Sequence, residues 1–253
     1  MVLFAGGLAM IGDAVRSLME ETVRVSDSGE SRELASAEEI HAYLVEQLNM
    51  ALRRPGMFGG EIALRLLIDH LLMTEREPEA FGRLQRSWEE RGMWTALGVT
   101  GAFRDLILKP KDECGMASVY AEFAQARGWL RPDRTLAPEA YEAMVDQVRD
   151  WAGKDRTWAD VIDRFGPPSV LFGGNNPLYS KSLGYLTDDP GLPMVVFHLW
   201  NGTETGPGDG WPPAHEQPLL LAVRHGDGLF RESLTFTPHG QRLRPVVDQP
   251  WLA

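Results

Sequence analysis

The sequence predicts an α+β protein, with a helical part over residues 1–155 followed by an antiparallel β-sheet over residues 156–253. Three observations predict it. Apolar residues recur at helical spacing as far as Trp151. Beyond Thr157 they fall into short runs rich in branched and aromatic residues. Those runs are bounded by Gly, Pro, Asn or Asp. A chain of 253 residues can bury one large core or two small ones, so the two parts are free to pack as a single domain.

The first twelve residues, MVLFAGGLAMIG, are apolar and are expected to open a helix or lie in a buried strand. They are too short to span a bilayer, and no basic residue precedes Arg16, so they do not read as a leader. Residues 26–35 are polar and Gly/Ser-containing, which predicts a loop. Ser36 and Glu39 form an S-x-x-E capping box. Ile40, Tyr43, Leu44, Leu48 and Leu52 follow on one helical face until Pro55-Gly56 stops it. Glu61–Thr74 is apolar around much of its circumference, as in a helix central to a bundle. Glu79–Ala96 is the next predicted helix, anchored by Phe81, Leu84, Trp88 and Trp94. Met116–Ala126 follows, and a further helix opens at Pro138 with Tyr141, Met144, Val145, Val148 and Trp151 as its stripe.

Thr157 caps a short helix carrying Trp158, Val161, Ile162 and Phe165, which Gly166-Pro167-Pro168 ends. Five strands are predicted, at about Ser169–Phe172, Ser182–Thr187, Met194–Trp200, Leu219–His225 and Glu232–Thr237. Consecutive strands with short connections usually pair, which gives a meander. The Gly/Pro-rich link Asn201–Pro218 is expected to be irregular, and His225–Leu229 to form a hairpin turn.

The formal net charge is −11, with 7 Lys/Arg against 10 Asp/Glu in residues 156–253 and 18 against 26 before them. An acidic surface repels phosphate backbones and suits a basic protein partner. The expected partner is therefore a basic protein, with neither nucleic acid nor membrane involved. The single cysteine, Cys114, rules out an intrachain disulfide and a cysteine zinc cluster and fits a reducing, cytoplasmic setting.

Catalytic, metal and cofactor motifs are not found. The histidines form no H-x-H, H-x-x-x-H or HExxH pattern. Gly56–Gly60 lacks a following Gly-Lys-Ser/Thr, and Gly173-Gly174-Asn175-Asn176-Pro177 lacks a dinucleotide fingerprint. No cofactor is expected. Asp112 and Glu113 would raise the pKa of Cys114 and blunt it as a nucleophile. Asp188-Asp189, ahead of Pro190-Gly191, reads first as a turn.

Two stretches carry a resemblance. Arg53-Arg54-Pro55-Gly56-Met57-Phe58-Gly59-Gly60 resembles an RPGM-aromatic turn of bacterial immunity-like proteins encoded beside secreted toxins. Thr157–Thr187, a helix, Gly-Pro-Pro and a strand meander, is similar to modules of such inhibitors. The RPGM-aromatic turn also occurs in type II topoisomerase ATPase subunits, whose other ATP-site motifs are missing here. The resemblance implies a non-catalytic protein that covers its partner. With the acidic charge and the loop tryptophan, it makes Trp211, Asp209, Glu204, Asp188 and Asp189 the expected partner-binding residues. The rival expectation is an enzyme with a site between helices and sheet, built from His198, Tyr185, Asn175 and Cys114.

Overall fold

The computed structural model describes residues 35–107, 113–202 and 213–244. The expected N-terminal helix or strand, almost all of the loop over 26–35, and the middle of the Asn201–Pro218 link lie outside the described residues. From Ala37 onward the described residues belong to one compact unit. The architecture is α+β, with the helices mostly N-terminal and a five-stranded antiparallel sheet toward the C-terminus.

Helix α1 spans Ala37–Arg53, opening directly after Ser36. A 3-10 turn at Pro55–Met57 leads to α2, Gly60–Thr74. Helix α3 covers Ala80–Glu90 and α4 covers Gly98–Leu106. Helix α5 covers Glu113–Ala126, α6 Pro138–Trp151 and α7 Trp158–Phe165. The predicted Glu79–Ala96 helix stops early, because Gly92 takes φ +69° and turns the chain. Trp94 still reaches its expected core, stacked on Trp88 from beyond the helix end. The capping box of α7 is formed by Thr157 and Asp160. Each side chain accepts from the other's backbone N–H, at 3.2 and 2.7 Å.

Strands β1 to β5 are Val170–Phe172, Lys181–Tyr185, Val195–Trp200, Leu219–Arg224 and Leu234–Phe236. They are hydrogen-bonded in chain order, each pair antiparallel. A short helix α8, Pro238–Arg242, closes against β4.

The sheet is covered on both faces, and this accounts for strands with almost no exposed positions. Val170, Phe172, Val196 and Ala222 belong to the larger core with α1 to α5. Leu183, Tyr185, Phe197 and Val223 belong to a second core with α6 and α7. Alternation along a strand sends neighbouring residues to opposite cores. Each fully buried Leu, Phe or Val contributes ~1.5–3 kcal/mol. A bulge between His198 and Leu199, opposite Leu221, puts Leu221 and Ala222 together in the larger core.

Candidate functional site

In an antiparallel meander, alternate connections share an end of the sheet. The β2–β3 and β4–β5 connections therefore leave from the same end. Both are held in place. Gln125 donates to the Thr187 carbonyl at 3.3 Å, and the Tyr141 hydroxyl donates to the Pro193 carbonyl at 2.7 Å. Arg91 donates from Nε to the Gly228 carbonyl at 3.2 Å, while its own carbonyl accepts from Phe230 at 2.8 Å. Phe230 is buried against Phe103, with ring centroids 4.9 Å apart.

Between these connections and the helical layer lie three open depressions of about 480, 180 and 390 Å³. Gln125 and Pro190 line both the first and the second, and Arg91 lines both the second and the third, so the three form one groove. Leu130 and Leu186 line the first depression, Leu192 the second and Leu229 the third. Its charged lining is Asp188, Glu122, Asp227, Asp105 and Glu232 against Arg127, Arg91 and Arg231.

Two of these charges are already engaged. Glu122 accepts from Arg224 at 2.8 Å; Arg224 is buried at the end of β4 and also donates to Ser118 at 3.1 Å. Arg127 pairs with Glu75 and, at 3.1 Å, with Glu77. The groove therefore presents Asp188, Asp227, Asp105 and Glu232 against Arg91 and Arg231, an acidic balance among lining leucines.

Behind the first depression, Glu75 accepts from Trp129 at 2.7 Å, pairs with His41 at 3.0 Å, and is bonded by Arg127. Burial raises its pKa, but the hydrogen bonds from Arg127, His41 and Trp129 outweigh it and hold the carboxyl below its ordinary value. A carboxylate with a lowered folded pKa contributes stability that is present above its unfolded pKa of about 4.3 and is lost as pH falls through the folded value. Glu75→Gln is therefore expected to lower stability at neutral pH and to flatten the acid limb below about pH 4.3. Thermal melts of both proteins across that range check this.

Asp188 and Asp189 separate in role. Asp188 lines the groove. Asp189 accepts the Gly191 N–H at 2.8 Å and shapes the turn. Trp211, Asp209 and Glu204 lie outside the described residues. The strand ends that bracket them, Trp200 and Leu219, sit at the opposite end of the sheet from Asp188.

The four residues of the enzyme reading do not meet in this groove. His198 is buried on the central strand, with Nδ1 3.0 Å from the Ser182 hydroxyl and its ring edge-on to Phe103. Burial, reinforced by the Arg224 guanidinium, holds its pKa far below the histidine range and keeps the ring neutral. Tyr185 is buried in the other core and donates to the Gly166 carbonyl at 2.8 Å. Cys114 packs beside Gly173 at the start of α5, and Asn175 is exposed in the β1–β2 connection. Among the described residues no group of His, Cys, Asp and Glu is placed to hold a metal, and no helix is long and apolar enough to cross a membrane.

Sequence reasoning missed Arg91, Glu122 and Asp227. Asp227 was legible only as part of the Gly226-Asp227-Gly228 turn, and nothing local marks the other two. It also missed Lys181. This lysine is buried with its ammonium 3.7 Å from the Trp158 ring centroid and donates to the Gly174 and Asn176 carbonyls, at 2.9 and 2.8 Å. Burial pulls its pKa down to about 8. No family model, no curated protein and no solved structure matches the chain.

Proposed function

We propose that this is a non-catalytic protein-binding protein whose groove takes an extended basic segment of a partner, covering that partner's surface as an immunity or accessory protein would. The groove carries the reading. It is open, the connections beside it are held by hydrogen bonds, and its carboxylates outside ion pairs outnumber its arginines outside ion pairs. A row of adjoining depressions suits an extended chain, with the lining leucines meeting alternate side chains and the carboxylates setting the preferred charge. The chain's net charge of −11 favours encounter with a basic partner in the same sense.

The test uses fluorescein-labelled extended peptides of Lys/Arg-Leu composition, with Asp/Glu-Leu peptides of equal length as the control. The basic set is expected to bind and to weaken with salt. Asp188→Lys and Asp227→Lys are each expected to weaken binding about ten-fold, since a rim charge contributes of the order of a kcal/mol. Equal binding of both peptide sets, or charge-reversed proteins that bind as well as the parent, overturns the reading.

A further inference from the structure

Lys181 is a buried cation outside the groove. It opens β2, is 1% exposed, and has no carboxylate partner among the described residues. Its ammonium is spent on the β1–β2 connection instead. It donates to the Gly174 and Asn176 carbonyls at 2.9 and 2.8 Å, and Trp158 of α7 faces it with the ring centroid 3.7 Å away. The ends of the connection are anchored separately. The Gly173 N–H donates to the Arg53 carbonyl at 2.7 Å, and the Ser180 hydroxyl accepts the Asn201 N–H at 3.2 Å. Between those anchors residues 175–179 are exposed. Asn176 organises them, its side chain accepting the Leu178 N–H at 2.9 Å and its carbonyl the Tyr179 N–H at 3.2 Å. Lys181 reaches beneath this turn and ties it to the sheet at two points.

We propose that the β1–β2 connection is a pH-sensitive flap, whose closed form is favoured as Lys181 loses its proton and whose opening carries Lys181 into water as the ammonium. Burying an ammonium away from carboxylates costs free energy that a neutral amine escapes, and carbonyl dipoles and a ring face offset only part of it. Water leaves the proton on lysine up to about pH 10.4. Beneath the flap, burial brings that value down to about 8. Closing therefore releases a proton. The closed form gains on the open one as pH rises from about 8 to about 10.4, and below about 8 both forms are protonated and the balance is level. Among the described residues, the titratable group that acts on Lys181 is Cys114 of α5, whose thiolate favours the ammonium. Helix α7 presents the Trp158 ring, while its Asp160 is committed to the Thr157 cap. Strand β3 sets apolar Leu199 opposite. The flap leaves the sheet from the end opposite the groove, so it does not depend on the groove's binding a peptide.

Amide hydrogen exchange of the full chain at pH 7 and pH 9, corrected for the intrinsic pH dependence of exchange, tests the proposal. Protection at residues 174–180 is expected to rise about ten-fold between the two, while residues 226–229 stay level. Lys181→Met keeps an apolar stem without the charge. It should hold the parent circular dichroism spectrum and lose the rise. Cys114→Ser removes the other group that titrates in this range and should keep the rise. Equal protection of residues 174–180 in the parent at both pH values, a rise that persists in Lys181→Met, or one that vanishes in Cys114→Ser, overturns the proposal.

Discussion

Replacing Glu61 with alanine is expected to cost about 4 kcal/mol of folding stability, because hydrogen bonds to a charged acceptor contribute roughly 1.5–3 kcal/mol each and three are lost together. The carboxylate accepts the backbone N–H groups of Val99 and Thr100 at 2.8 and 2.9 Å and the Tyr120 hydroxyl at 2.8 Å. Val99 and Thr100 open α4, so Glu61 serves as the anionic cap of a helix far away in sequence. No side chain at the start of α4 makes that cap. Tyr120 is fully buried, and burial beside the Glu61 carboxylate raises its pKa, so it remains a donor at every pH at which the protein is folded. Glu61→Gln keeps an acceptor oxygen and should lose about half as much. Gly98 fits the same site, since a Cβ there would lie 2.3 Å from Glu61 Oε1 on a backbone with φ +73°. Urea unfolding of the parent, Glu61→Gln and Glu61→Ala proteins gives the ranking directly. An alanine variant within about 1 kcal/mol of the parent would contradict the capping role.

Gly240→Ala is the second large effect, a loss of about 3 kcal/mol or more through overpacking against backbone. A Cβ at Gly240 would sit 1.9 Å from the Leu221 carbonyl oxygen and 2.7 Å from its carbon. Leu221 cannot yield easily, because β4 is bonded to β3 on one side and β5 on the other. Thr237 fixes the approach. It accepts the Gly240 N–H at 3.0 Å and donates to the Leu220 carbonyl at 2.6 Å. Gly228→Ala is the matched control. No atom lies within 4 Å of a Cβ there, so its melting midpoint should stay with the parent's while that of Gly240→Ala falls.

These two sites illustrate what local pattern carries and what it does not. The five strands and their meander order were legible because every strand is bounded by its own turn residues. Helices α1, α2, α5, α6 and α7 were legible from their apolar spacing and from the Thr157 and Pro138 start signals. Helix α4 was not, because glycines at 98 and 101 weaken its helical pattern and its cap is supplied by Glu61. Nothing in the glycine loop before α2 marks a distant partner for the Glu61 carboxylate. In the fold that carboxylate points instead to the start of α4. Division at residue 155 describes the order of elements along the chain, whereas packing places α6 and α7 on the other face of the sheet from α1 to α5. The groove was visible only at Asp188. Its other charged residues come from the residue after α3, from α4, from α5 and the residue after it, and from the β4–β5 connection, segments brought together by tertiary packing alone.

Amide hydrogen exchange with and without a saturating basic Lys/Arg-Leu peptide tests the groove most directly. The account predicts protection at residues 186–193, 91–95 and 227–232, with the β1–β2 connection over 173–180 unchanged at the far end of the sheet. Protection confined to residues 173–180, or none despite measured binding, would contradict it.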